Sequence, residues 1–111
     1  MKIKKGGKEI DLGKVKKVNG VGKIVGLMFS RREKADILLF EFKKPTKMKI
    51  HSCFVFSPFI AIWLDKGDNI IDLKRVKPFK LSFKIRKPYY KLVEIPINKR
   101  NKKIIELLDG D

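Results

Sequence analysis

The chain of 111 residues has no glutamine, two alanines, one cysteine and one histidine. The single Cys53 excludes an intramolecular disulfide, which is typical of proteins in a reducing compartment. One histidine and one cysteine are also too few for a structural zinc site, which needs four ligands. Residues 1–10 carry charge but no apolar core, so we expect no secretory signal and a cytoplasmic protein. The absence of glutamine beside abundant lysine is a weak mark of a thermophile, and an AT-rich genome gives a similar bias.

Long apolar runs are also absent. The longest uncharged stretch covers the thirteen residues 52–64, in a chain of which 36% is charged. A membrane-spanning helix needs about 20 apolar residues, so this stretch is too short to span a membrane. Pro58 divides it in two. We therefore interpret it as the buried centre of one domain that covers residues 1–111, and we expect no membrane association.

Acidic residues are missing where basic ones are most frequent. The net charge is +16, and it comes from two segments. Residues 1–35 hold 11 Lys/Arg against 3 Asp/Glu, and residues 74–91 hold 8 Lys/Arg and no acid. An excess of one sign destabilises the compact state through self-repulsion unless it is dispersed or meets an anion.

The apolar pattern predicts a mainly β protein. Residues 3–10 surround Gly6-Gly7 and indicate a hairpin, because glycine supplies the positive φ of tight turns. Residues 66–69 predict a second turn between strands 59–64 and 70–76. Asn98 can cap a final helix that runs to about Leu108 and is apolar at Ile104, Ile105, Leu107 and Leu108. We also expect strands at residues 37–42, 48–56, 79–86 and 92–95, a short helix within residues 24–29, and a turn at residues 43–47. The predicted fold is a small β-sandwich or barrel of about seven strands with one or two short helices, including the C-terminal one.

Four segments resemble a known family. Residues 26–29 read GLMF with Arg31 nearby, residues 37–42 read ILLFEF, residues 58–65 read PFIAIWLD and residues 92–96 read LVEIP. In order and spacing they are similar to domain-of-unknown-function family 192, also called uncharacterised protein family 0127. The likeness covers about residues 15–111 and implies a compact, mainly β domain with no assigned activity. Ile60 stands where family members commonly have an acid, and Ser30 stands where an arginine often follows GLMF.

Candidates for catalysis and metal binding are few. His51 and Cys53 would share a face of a strand, but a packed cysteine and a satisfied histidine are the simpler interpretation. The glycines of residues 20–26 miss the dinucleotide fingerprint by one residue. The carboxylates Glu41, Asp65, Asp68, Asp72 and Glu94 are expected to serve in turns and ion pairs. We therefore assign no catalytic residue, no metal and no cofactor from the sequence.

The strongest functional signal is the second basic segment, where cations alternate with aromatic residues. Phosphates bind Lys and Arg, so we predict a non-enzymatic module that binds a polyanion, RNA or DNA, without base specificity. The proposed site combines cations of both basic segments: Lys2, Lys4, Lys5, Lys8, Lys74, Arg75, Lys77, Lys80, Lys84, Arg86 and Lys87. It requires these segments to converge on one side of the fold. The sequence leaves the oligomeric state open.

Two alternatives remain open. A small-ligand or enzymatic domain would have a pocket near His51 and Trp63, because apolar pockets with a few polar groups are the usual ligand sites. Alternatively, the basic segments would dock an acidic protein partner.

Overall fold

A computed structural model describes residues 1–18, 37–46, 59–76 and 87–109. These residues form seven strands, a short 3₁₀ turn and one α-helix. The strands are β1 (Lys2–Lys5), β2 (Lys8–Asp11), β3 (Val15–Val18), β4 (Ile37–Thr46), β5 (Phe59–Leu64), β6 (Ile70–Val76) and β7 (Tyr89–Pro96). The 3₁₀ turn is Lys99–Asn101, and the helix, α1, is Lys102–Asp109. The prediction of a mainly β sandwich-like fold with a C-terminal helix is confirmed.

The strands form two sheets. β1 and β2 make an antiparallel pair, and the other five follow the order β3-β4-β7-β5-β6. β3 runs parallel to β4, and the remaining pairs are antiparallel. Among the described strands β3 and β6 are the two edges, so the larger sheet is open rather than a barrel.

The first hairpin forms where the glycines predict it. Gly6 and Gly7 have φ values of 54° and 83°, the signs that a type I′ turn requires at both central positions. The pairing brings Ile3 opposite Ile10, and both side chains are buried. The backbone N–H of Leu12 donates to the carbonyl of Met1 at 2.7 Å and prolongs the ladder. The hairpin therefore presents one apolar face to the larger sheet.

β5 is buried on both faces, as its continuous apolar sequence predicts. Ile60, Ile62 and Leu64 share a core with the hairpin and α1, whose Ile105 and Leu108 are buried there. We call this side of the sheet the hairpin face. Phe59, Ala61 and Trp63 occupy the opposite face and are 0–1% exposed.

The C-terminal helix begins as predicted. The Asn98 side chain accepts a hydrogen bond from the Asn101 backbone N–H at 3.0 Å and caps the 3₁₀ turn that leads into α1. The buried side of α1 is narrower than predicted, because Leu107, one of the four apolar residues, is 55% exposed. Leu107 lies two positions from Ile105, which places it about 200° around the helix from that buried residue.

Three further differences concern the strands. The turn predicted at residues 43–47 is wrong for residues 43–46, which belong to β4. The strand continues through exposed Pro45 to Thr46, and its pairing with β7 is irregular beyond Glu41. β7 begins at Tyr89, three residues before the predicted strand. β3 was not expected from the sequence. The elements predicted within residues 24–29, 48–56 and 79–86 lie outside the described residues.

Candidate anion-binding surface

The cations of the first basic segment lie on the hairpin. Lys4 joins the hairpin to the larger sheet, because its backbone N–H donates to the carbonyl of Asp68 at 2.9 Å and it forms a parallel bridge with Asn69. Lys2, Lys4 and Lys8 are exposed, and the Lys2 ammonium lies 3.5 Å from the Glu9 carboxylate. Hydrogen bonds thus fix the position of this group of charges beside the turn between β5 and β6.

Lys74 and Arg75 of the second basic segment point to opposite faces of β6. Lys74 pairs in register with Ala61, and its ammonium lies 5.9 Å from the centroid of the Trp63 ring. Arg75 pairs with Ile60 on the hairpin face and forms an ion pair with Asp109 of α1. Lys87 is exposed two residues before the start of β7. The predicted site residues Lys77, Lys80, Lys84 and Arg86 lie outside the described residues.

The last turn of α1 connects the two basic segments. The Lys5 ammonium donates to the carbonyl of Leu108, and the Arg75 guanidinium donates to the carboxylate of Asp109. One cation from each segment therefore meets the same helix end on the hairpin face. Lys74, on the other face of the sheet, does not join them.

Charge remains in excess across the described residues, which hold 18 Lys/Arg and nine Asp/Glu. At least five of the nine acids already form ion pairs. The carboxylates of Asp11, Glu9, Glu41, Asp109 and Asp68 pair with the N-terminal ammonium, Lys2, Lys17, Arg75 and Lys91. Each of these acids neutralises a positive charge close to it, so the surplus belongs to other cations.

Part of this surplus of positive charge lies outside the two basic segments. Four exposed cations surround the start of α1: Lys99, Arg100, Lys102 and Lys103. The net charge of residues 92–111 does not reveal them, because this segment holds four cations and four acids and is neutral overall. The run KRNKK at residues 99–103 is the signal that reveals this cluster.

A cleft of about 570 Å³ opens between this cluster and β3. Its lining combines aliphatic side chains with cationic residues: Leu12, Lys14, Val15, Lys16, Ile37, Arg100, Asn101 and Ile104. No carboxylate is among these lining residues. We call it the β3–α1 cleft.

The opposite face of the sheet holds an aromatic layer around a buried acid. Tyr89 meets Trp63 edge to face with ring centroids 6.4 Å apart, and it meets Phe42 at 5.7 Å. Glu94 pairs in register with Ala61, beside Trp63, and is 0% exposed. Burial raises the pKa of Tyr89 to about 12, against a smaller opposing effect of its hydrogen bond with Trp63. Trp63 of the predicted ligand pocket is thus wholly buried, and His51 lies outside the described residues.

Asp65 has a structural role in the turn between β5 and β6. Its carboxylate accepts hydrogen bonds from the backbone N–H groups of Gly67 and Asn69, both at 2.9 Å. The backbone hydrogen bond from Asn69 is the main reason that the pKa of Asp65 lies below its ordinary value. The predicted local use of this acid is confirmed.

Two features are absent from the part of the chain that the structure describes. No group of three or more His, Cys, Asp or Glu residues there is arranged to hold a metal ion. Nor does that part contain a helix of the length and apolar character needed to cross a membrane.

The fold is known from solved structures. The chain is similar to a candidate transcription regulator from Sinorhizobium meliloti 1021, with a TM-score of 0.75 and 17% identity over 93% of this chain and 81% of that one. It is also similar to a protein of unknown function from Novosphingobium aromaticivorans DSM 12444, with a TM-score of 0.72 and 10% identity over 93% of this chain and 75% of that one. No protein family and no curated protein matches the sequence. At these identities the likeness shows the fold alone.

Proposed function

We propose that this protein is a non-enzymatic module that binds the phosphate backbone of RNA or DNA without base specificity. The observation that carries the proposal is the meeting of Lys5 and Arg75 at the last turn of α1. Arg75 itself is neutralised by Asp109, but these two contacts hold the hairpin, with its exposed lysines, beside the end of β6 and so favour one cationic side there. Phosphates neutralise such an excess of cations and release the counterions of the nucleic acid, which drives binding.

The lack of base specificity follows from the side chains available. Recognition of bases needs side chains that reach base edges or exposed rings that stack on bases. None of the described aromatic side chains is exposed: Phe42 and Tyr90 are half-buried, and Phe40, Phe59, Trp63 and Tyr89 are buried. Contacts to phosphates therefore supply the affinity.

The hairpin cations provide the direct test. We expect the double variant Lys4→Gln/Lys8→Gln to weaken binding of a fluorescein-labelled 20-base-pair DNA and of a single-stranded RNA of the same length. If both lysines contact phosphates, the slope of log Kd against log salt for the duplex should fall in magnitude by about 2. Fluorescence anisotropy between 50 and 300 mM salt measures this change.

The matched control is Lys43→Gln/Lys44→Gln, which removes the same charge from exposed positions on β4. This variant should lose less affinity and keep the slope nearly unchanged, because β7 and β5 separate β4 from β6, the strand of the larger sheet that β1 contacts. Equal losses in both variants would show that only net charge matters and would refute a defined cationic side.

A second candidate is a small-ligand or enzymatic site near Trp63. The buried Glu94 favours it, because buried ionisable groups cluster at functional sites. A ligand in that layer would change the fluorescence of Trp63, the single tryptophan, whereas phosphate contacts at the hairpin would leave it unchanged. Docking of an acidic protein to the hairpin is the third candidate, and competition between that protein and DNA would distinguish it.

We further propose that the chain is a divergent member of domain-of-unknown-function family 192, on the strength of its four motif segments. Two of those motifs, residues 58–65 and 92–96, contribute to the adjacent central strands β5 and β7. A cytoplasmic location is also proposed, and the single cysteine supports it.

A further inference from the structure

The β3–α1 cleft has the features of a site for a small ligand. Its volume of about 570 Å³ lies within the roughly 300–1,000 Å³ typical of small-molecule sites. It lies between the loop that follows the hairpin and the start of α1. None of its lining residues is used by the hairpin site of the proposed function, so the two sites can be tested separately.

Both walls of the cleft are held in place by hydrogen bonds. On one side, the N-terminal ammonium donates to the carbonyl of Gly13 at 2.8 Å, and the Gly13 N–H donates to the Asp11 carboxylate at 2.8 Å. On the other side, the Asn101 side-chain amide donates to the carbonyl of Pro96 at 2.9 Å. A site fixed before its ligand arrives loses little entropy on binding.

Among the described residues, the apolar part of the lining is aliphatic. Leu12, Val15, Ile37 and Ile104 supply it. Val15 and Ile104 are only half-buried although they pack on the core, so a ligand could cover more of their surface. The described lining contains no aromatic ring on which a nucleobase would stack. An aliphatic chain is the complementary partner for these side chains.

The charged residues of the described lining are all cationic. Lys14, Lys16 and Arg100 are exposed residues of the cleft, and the described lining includes no acid. Asp11, the acid next to the hairpin exit, is already 3.8 Å from the N-terminal ammonium. An anionic oxygen group on the ligand would complement these cations, and a guanidinium can bind it with two parallel hydrogen bonds.

From this combination we propose that the β3–α1 cleft binds an aliphatic chain that ends in an anionic oxygen group, a carboxylate or a phosphate. The chain lies on Val15, Ile37 and Ile104, and the head group contacts Arg100 with the neighbouring lysines. The inference goes beyond nucleic-acid binding and does not depend on it.

The test is a titration of methyl-labelled protein, followed by NMR, with octanoate and separately with octyl phosphate. Both should shift the methyl signals of Val15, Ile37 and Ile104, and the tighter of the two identifies the head group. Octanol, which lacks the charge, and inorganic phosphate, which lacks the chain, should each bind at least tenfold more weakly. Hexanoate should bind about 15-fold more weakly than octanoate, because it has two fewer CH₂ groups to bury.

Two single substitutions at exposed residues complete the test. Arg100→Gln should weaken octanoate binding about tenfold or more, the effect of losing a hydrogen bond between charged groups. Lys66→Gln, which removes the same charge at an exposed turn outside the cleft, should change it less than twofold. The proposal is overturned if octanol binds as tightly as octanoate, if the two variants behave alike, or if the shifted methyl groups lie elsewhere.

Discussion

Tyr89 shows how burial of one side chain links stability to pH. Its pKa is raised to about 12, mainly because burial disfavours the phenolate. The unfolded chain has the ordinary tyrosine value of 10, so the folded state keeps the proton to higher pH. The stabilisation is complete below pH 10 and is lost as the pH rises through about 12.

We therefore predict that the free energy of unfolding of the wild type falls relative to that of Tyr89→Phe between pH 10 and 12. The full change is about 3 kcal/mol, since the shift is about two pKa units and one unit corresponds to about 1.4 kcal/mol. Urea titrations of both proteins at several pH values measure this difference, and lysine deprotonation, common to both, cancels. A difference that stays constant from pH 9 to 11.5 would contradict the assigned pKa.

For single residues, the sequence predicts that adjacent side chains on a strand differ in burial, but it does not predict how deeply each one is buried. Adjacent residues of a strand point to opposite sides, and the structure has Tyr89 buried and Tyr90 half-buried. The helical pattern does not separate exposed Leu107 from buried Leu108, because both are apolar. Only the position of the sheet and hairpin below α1 decides which of them is covered.

Among the elements, the turn between β5 and β6 has the clearest dependence on one residue. The Asp65 carboxylate accepts hydrogen bonds from the backbone N–H groups of Gly67 and Asn69. Asp65→Ala should lower the free energy of unfolding by about 2 kcal/mol, since hydrogen bonds to charged groups contribute about 1.5–3 kcal/mol. Urea unfolding at pH 7 measures the loss.

The control for this turn is Lys66→Ala, at the exposed neighbouring position, which should change stability by less than about 0.5 kcal/mol. The effect of Asp65 also depends on pH. Because the pKa of Asp65 is lowered in the folded state, its stabilisation is present above the ordinary value of 3.8 and is lost as the pH falls through the folded pKa. Equal stabilities of the two alanine variants at pH 7 would exclude the proposed role of the carboxylate.

Elements with strong local signals are the ones that the sequence predicts. The Gly6-Gly7 hairpin, β5 with its turn to β6, and the Asn98 cap all follow from turn, burial and capping preferences. β3 is missed because its four residues include two lysines, and only pairing with β4 makes them a strand. β4 is predicted too short because Pro45 indicates a turn, although an exposed proline can lie in an irregularly paired part of a strand.

For the whole molecule, the question is how the charge is distributed in space. The sequence predicts an excess in two segments, but it cannot predict that Lys74 and Arg75 separate to opposite faces of β6. Nor do the net charges of segments reveal the cations around the start of α1. They do not reveal the β3–α1 cleft either, because three separate parts of the chain line it, residues 12–16, residue 37 and residues 100–104. Tertiary packing determines these features, so only the structure makes the cleft visible.

The salt dependence of nucleic-acid binding decides whether this protein binds a polyanion. If about six to eight cations contact phosphates, log Kd for duplex DNA should rise with log salt at a slope of about 5–7 in magnitude, and Kd at physiological salt should lie at roughly 1–100 μM. Fluorescence anisotropy with the wild-type protein between 50 and 300 mM salt measures both values. A flat response, or no binding at 50 mM salt, would contradict the proposal that this protein binds a polyanion.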